Sequence, residues 1–393
     1  MPGRVEPTFS RRFPSSLEPN AFSQVLAALT ARGAPLVDLT ESNPTRAAIP
    51  YPADVLASLA DPAALQYDPH PFGLPRARAA VAADHARRSA LVNPDDVVLT
   101  ASTSEAYSWL FKLLCDPGDA VAVPQPSYPL FDHLTSLEGV RVHPYALTYD
   151  GRWSIDFDTL AAAPDRTRAV LIVSPNNPTG SYVSTAEVRE LVRLCSQRGW
   201  ALIADEVFAD YPLDQADPAT DIARRADVLS FSLGGLSKTV GLPQLKLAWI
   251  VIGGPTPDRA RARDGIELIA DTFLSVGTPV QVAASRLLAA GAAVRGAIHD
   301  RVRHNLTVLR AAGRRFASCD VLTVEGGWSA IIRVPSTRTE EALVLDLLER
   351  EHVAVHPGYF FDFPREAYLV VSLLPEPRQF APAIERVLRR ASA

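Results

Sequence analysis

Of the 39 basic side chains in this 393-residue chain, only three are lysines: Lys112, Lys238 and Lys246. Two of them stand eight residues apart in one Gly/Ser-rich stretch, FSLGGLSKTVGLPQLKLAW at 231–249. Arginine stays protonated at any accessible pH, whereas a lysine shielded from water loses its proton and attacks a carbonyl. A chain that otherwise uses arginine has reason to keep a lysine here if its chemistry needs a primary amine. Lys238 therefore reads as a Schiff-base lysine, with a surface lysine at a strand end as the competing reading.

Other stretches carry polar groups in positions suited to an anionic, aromatic ligand. In TASTSEAYSWLFKLL (100–114) small hydroxyl residues precede a helical pattern. The free N–H groups of a helix start, with Ser102, Thr103 and Ser104, suit a phosphate. Ser102 with Glu105 is equally an ordinary capping box. Asp205 closes the apolar run ALIAD, and an acid at the end of a buried run needs a partner or a cavity mouth.

The elements that must position these groups are legible as periodicity. Continuous apolar runs at 120–124, 169–173, 201–205, 228–232 and 247–252 have strand length and suit strands covered on both faces. Between two of them, 184–198 reads as a helix opened by a Ser184–Glu187 capping box. This is βαβ architecture, which binds ligands at the carboxyl ends of its strands. After about 279 a long Ala/Arg/Leu helical region (280–317) precedes a hairpin pattern, VLTVEGGWSAIIRVP, then a helix near 339–350, a strand at 368–374 and a last helix from about 379. That order suits a smaller α+β domain. Residues 21–30 read as an amphipathic helix packing on it.

The totals narrow the partners. Net charge is −5 with pI about 5.9 and both signs interspersed, which points away from nucleic acid and anionic membrane and towards a small molecule. Cys115, Cys195 and Cys319 lie far apart without metal-ligand spacing, and the eight histidines show none, so no metal is expected. The amino terminus lacks the apolar segment of a secretory signal, and no run approaches the roughly 20 apolar residues of a membrane span. A soluble cytoplasmic protein is the expectation.

In order and spacing, these motifs together with VPQPSYPLF and SPNNPTG resemble the class I/II aminotransferases, pyridoxal-phosphate enzymes of fold type I, from about Thr40 to Lys246. The resemblance implies an α/β fold: an amino-terminal arm and helix (1–45), a large cofactor-binding domain with a mostly parallel sheet (46–278), and a small α+β domain (279–393). It implies pyridoxal phosphate held through a Lys238 Schiff base, with Lys238 as general base and acid and Asp205 on the pyridine nitrogen. Tyr128 would stack on the ring and Asn177 would bond its phenolic oxygen. Ser102, Thr103, Ser104, Ser237 and Lys246 would hold the phosphate, and Tyr67, in YDPHPFGL, would reach the phosphate of a neighbouring subunit in a homodimer. The reaction implied moves an amino group from an amino donor to a keto acid. The same cofactor residues would also serve a C–S β-lyase, decarboxylase or racemase, or a non-catalytic sensor.

Three positions depart from the family pattern. Phe208 replaces a tyrosine that donates to the phenolic oxygen. Lys246, behind an unusual Gln244, replaces a phosphate-binding arginine. Val370, in YLVVS, stands where relatives carry the arginine that clamps the substrate carboxylate. An apolar valine binds no anion, so the expectation is another cation (Arg378, Arg365 or Arg46), a shifted alignment, or a substrate without that carboxylate. Ser42, Trp328 (in EGGWSA) and Tyr359 (in HPGYFFDF) are further candidates for the substrate end, against core or interface packing for the two aromatics.

Overall fold

The computed structural model describes residues 9–14, 17–88, 91–213 and 227–393. In chain order its strands are β1 (Val37–Asp38), β2 (Val97–Thr100), β3 (Ala120–Gln125), β4 (Arg141–Tyr149), β5 (Trp153–Ile155), β6 (Thr167–Val173), β7 (Ala201–Asp205), β8 (Ser230–Gly235), β9 (Ala248–Gly253), β10 (Asp320–Val321), β11 (Ser329–Arg333), β12 (Val353–Ala354), β13 (His356–Pro357) and β14 (Tyr368–Ser372). Eight of them form one sheet in the order β2-β9-β8-β7-β6-β3-β4-β5. Its centre, β8-β7-β6-β3-β4, is parallel. β7 and β8 are buried at every residue, as strands covered by helices on both faces must be.

The Thr185–Arg198 helix begins with the full Ser184–Glu187 capping box and ends at Gly199, whose φ of 67° suits glycine. Apolar side chains from its inward face, such as Val188 and Leu191, fill one side of the sheet. Tyr107 and Phe111 of the Thr103–Leu114 helix fill the other.

The strand expected at 228–232 lies at Ser230–Gly235. Gly234 and Gly235, part of the Gly/Ser-rich stretch, are strand residues closely approached by β9, Gly234 by the Trp249 indole and Gly235 by Ala248. A Cβ on Gly234 would come within 2.5 Å of Trp249 Nε1.

β10-β11-β14-β13 form a smaller antiparallel sheet, with the Glu340–Glu351 and Pro377–Ala391 helices beside it. The Ala21–Ala31 helix packs there, its Phe22 ring edge-on to Phe360 at 5.8 Å. One helix of 36 residues, Thr278–Gly313, serves both bodies. Its Val280 to Leu288 half packs with β2 and β9, and its Val294 to Leu309 half with the small sheet. Among the described residues no helix is long and apolar enough to cross a membrane, and no group of three or more His, Cys, Asp or Glu is placed to hold a metal.

Candidate active site

Strand direction brings the polar candidates to one edge. β3, β6, β7 and β8 run parallel. β2 is antiparallel to β9, which is antiparallel to β8, so β2 ends on the same side. The segments leaving these five carboxyl ends carry Ser102, Tyr128, Asn177, Asp205 and Lys238, and all five line one cavity of about 320 Å³. Thr103, Ser104, Ser237, Lys246, Ser42 and Trp328 line it too.

Lys238 sits on a single helical turn, Leu236–Thr239, that leaves β8 directly. Its Nζ lies 4.7 Å from the centre of the Trp328 ring and 5.2 Å from that of Phe208. Burial lowers its pKa from 10.5 to about 8, against the opposing pull of Asp205. A large fraction of the amine is therefore neutral at mildly alkaline pH, as a nucleophile requires. Asp205, 8% exposed, accepts the Tyr107 hydroxyl on Oδ2 at 2.6 Å and the Val207 N–H on Oδ1 at 3.1 Å. Burial raises its pKa, and the hydroxyl and the amide pull the other way. Neither of those partners is a cation, so the carboxylate is set up to meet a positive group from the cavity.

At the far end of the cavity the Thr103–Leu114 helix points its amino terminus inward. Ser102 is its N-cap, accepting from the Glu105 N–H at 3.1 Å. Both readings of Ser102 thus meet in one residue, because the Thr103 and Ser104 hydroxyls remain without partners among the described residues. Lys246 is exposed towards the same cavity, at a left-handed φ of 50°. Asn177 is held by its neighbourhood. Asn176, fully inward, donates to Pro126 O at 3.1 Å and Thr179 Oγ1 at 2.9 Å and accepts from Ser127 Oγ at 2.8 Å. That tie locks the Asn177 turn to the segment carrying Tyr128.

Several candidates lie outside the cavity lining. Tyr67 is 74% exposed and borders a separate surface depression with His70 and Trp109. Arg46 lies exposed on a turn. Arg378 points into solvent beside Glu376 at a helix start, and Arg365 is exposed in the loop before β14. Tyr359 stacks edge-on against Phe360 at 4.9 Å. Val370 is 3% exposed and packs with Ile331 in the core between the sheets. No arginine lines the cavity among the described residues. Sequence reasoning missed Tyr107 and Asn176. The available signal for Tyr107 was a tyrosine on the inward face of the helix that follows the hydroxyl triplet, since a buried phenol needs an acceptor.

An acid without an ion pair among the described residues, a shielded amine, an amide and a hydroxyl-rich helix start match the ring nitrogen, aldehyde, phenolic oxygen and phosphate of pyridoxal phosphate. The sequence model of the family described as aminotransferase class I and II matches residues 35–386. The chain belongs to that family. It is a pyridoxal-phosphate-dependent aminotransferase of fold type I. It is 29% identical over 300 residues to an alanine aminotransferase of Mycobacterium tuberculosis, covering 75% of this chain and 70% of that one. It is 26% identical over 315 residues to the glutamate-pyruvate aminotransferase AlaA of Escherichia coli K12, covering 77% of each. An aminotransferase structure from Escherichia coli superposes with a TM-score of 0.87 at 24% identity, over 99% of this chain and 98% of that one. An alanine aminotransferase from Pyrococcus furiosus gives 0.85 at 22% identity, over 94% and 95%.

Proposed function

We propose that this aminotransferase moves an amino group between a small amino acid and a 2-oxo acid, with alanine, glutamate and their oxo acids as first substrates, and that Lys238 and Asp205 are its catalytic residues. The observation that carries the reading is the meeting of Lys238, Asp205, Asn177 and the Ser102–Thr103–Ser104 helix start in one cavity. The alanine and glutamate-pyruvate activities named for two relatives, and a cavity at the small end of ligand sites, favour small substrates.

Pyridoxal phosphate, when bound, supplies an electron sink that lets a proton leave the carbon bearing the amino group. Lys238 Nζ is the amine that would hold the cofactor at its carbonyl carbon and, when free, would take that proton up and return it. Asp205 would hold a proton at the ring nitrogen, its carboxylate oriented for this by the Tyr107 hydroxyl on Oδ2 and the Val207 N–H on Oδ1. Asn177 offers its amide to the phenolic oxygen, and Tyr128 covers the ring. The Ser102, Thr103, Ser104, Ser237 and Lys246 group holds the phosphate. Ser42 and Trp328 border the substrate.

Tyr67 is read as reaching the neighbouring subunit of a homodimer, which its exposure on a single chain favours. We read the chain as divided into 1–45, 46–278 and 279–393, a reading that the separate eight-stranded and four-stranded sheets favour. The last boundary falls at the start of the helix that both bodies share. Three free thiols favour the cytoplasm.

The test is an incubation with L-alanine and 2-oxoglutarate, reading pyruvate and glutamate. Both appear with the wild type and neither with Lys238→Ala. Pyruvate and ammonia formed from an amino acid without any 2-oxo acid would identify elimination instead. That no arginine among the described residues lines the cavity favours one further reading, a donor without a carboxylate. Equal rates with alanine and ethylamine would establish it.

A further inference from the structure

Behind the reacting lysine the backbone is held in a way that no catalytic role so far explains. The Leu236–Thr239 turn pairs its first carbonyl locally, Leu236 O accepting from the Val240 N–H at 3.2 Å, but a turn this short leaves the later ones without internal partners. Three of the carbonyls that follow Nζ along the chain are taken instead by long side chains from remote parts of the sequence. Tyr211 Oη donates to Lys238 O at 2.6 Å. Arg295 Nη1 donates to Thr239 O at 3.0 Å, and Tyr51 Oη donates to Gly241 O at 2.6 Å.

Their surroundings are shaped for this contact. Arg295 is 8% exposed, and no carboxylate pairs with it among the described residues, so the carbonyl is its bound partner. A guanidinium hydrogen bond is a strong one, and losing it would strand a buried charge. The helix carrying Arg295 comes close enough only because residue 291 is glycine. A Cβ there would lie 2.2 Å from Val240 Cγ1. Gly241 takes a φ of +67°, and a Cβ on it would lie 2.9 Å from Tyr51 Oη. The Tyr211 ring also packs at 5.0 Å on Trp328, whose ring faces Lys238 Nζ.

We propose that Tyr211, Arg295 and Tyr51 form a three-point clasp on the carbonyls of Lys238, Thr239 and Gly241, and act as positioning residues that fix the direction of the Lys238 amine. The proposal rests on the reading of Lys238 as the reacting amine. None of the three touches the reacting atoms. They act through the backbone, holding the lysine stem while the amine is bound and while it is free. The clasp joins elements separated by 27, 56 and 190 residues, so it forms only in the folded chain.

The test uses holoenzyme of Tyr211→Phe, Tyr51→Phe and Arg295→Met, with Arg295→Lys as the conservative variant. Tyr145→Phe is the matched control, because Tyr145 is also a buried phenol bonded to a backbone carbonyl, Leu171 O at 2.9 Å, away from the lysine turn. Removing a donor from a buried carbonyl is worth roughly a tenfold effect. The expected result is kcat lowered about tenfold in Tyr211→Phe and Arg295→Met with KM for the amino donor within about twofold. The pH midpoint of the cofactor's visible absorption band should move and cofactor loss on dialysis should quicken, both restored in part by Arg295→Lys. Tyr145→Phe should lower only the melting temperature. The proposal is overturned if the clasp variants behave like Tyr145→Phe, losing stability while midpoint, cofactor retention and kcat stay put. If Arg295→Met does not fold, the two phenylalanine variants, which delete one hydroxyl each, decide the matter. Failure of the underlying reading looks different: wild-type holoenzyme would then carry no cofactor on Lys238 after borohydride reduction.

Discussion

Replacing Lys238 with methionine is expected to make the cofactor-free protein more stable at neutral pH, although it removes the reacting amine. Folding brings the Lys238 ammonium from 10.5 to about 8 by burial, with the attraction of Asp205 already included. At about 1.4 kcal/mol per pH unit, carrying the charge costs the folded state roughly 3 kcal/mol. The residue is partly open to the cavity, whose water screens the charge, so about 2 kcal/mol is the working figure. The sign follows from linkage. A lysine whose folded pKa lies below its unfolded one destabilises the fold fully below about 8, and the penalty fades as pH rises from there to 10.5. Methionine fills a similar volume without charge, so the variant should gain about 2 kcal/mol at neutral pH and nothing near pH 10.5. Urea denaturation of both proteins without cofactor, at equal protein concentration across this range, reads the difference. A gain that is absent, or that does not change with pH, would refute the account of Lys238 as a charge held against its solvation.

Other expectations concern the neighbours of that amine. Phe208→Tyr places a phenol within reach of the cofactor's phenolic oxygen and should lower the pH midpoint of the visible band; an unchanged midpoint counts against the reading. Tyr107→Phe removes the 2.6 Å bond to Asp205 and should weaken cofactor binding about tenfold by equilibrium titration, whereas an unaltered Kd would mean the bond plays no part in presenting the carboxylate. Lys246→Ala should loosen pyridoxal phosphate but leave the phosphate-free aldehyde pyridoxal unaffected. Equal losses for both ligands would remove Lys246 from the phosphate site.

What the sequence made legible was whatever leaves a local trace. Five apolar runs marked the sheet, the Ser184–Glu187 pair marked a helix start, and lysine scarcity singled out Lys238. Strand β8 starts two residues and ends three residues later than its apolar run, because its Gly-Gly end looks like a loop until Trp249 and Ala248 of the adjacent strand pack on it. Tyr107 escaped notice because its partner Asp205 is 98 residues away, and no window of sequence joins them. The clasp on the lysine turn was hidden for the same reason. The resemblance supplied the role of Asn177, but the interlock that holds it runs through Asn176 and Ser127, 49 residues apart. At Val370 the sequence showed a missing charge, and the fold adds that the valine belongs to the core and that the suggested arginines stay at the surface.

The central claim is that Lys238 is the amine that binds the cofactor. With only three lysines in the chain, borohydride reduction of the holoenzyme followed by peptide mass spectrometry tests it directly. The account predicts one cofactor adduct per chain, on the peptide carrying Lys238, and none on Lys112. An adduct on Lys246 or Lys112 in its place, or no adduct on a holoenzyme that transaminates, would contradict it.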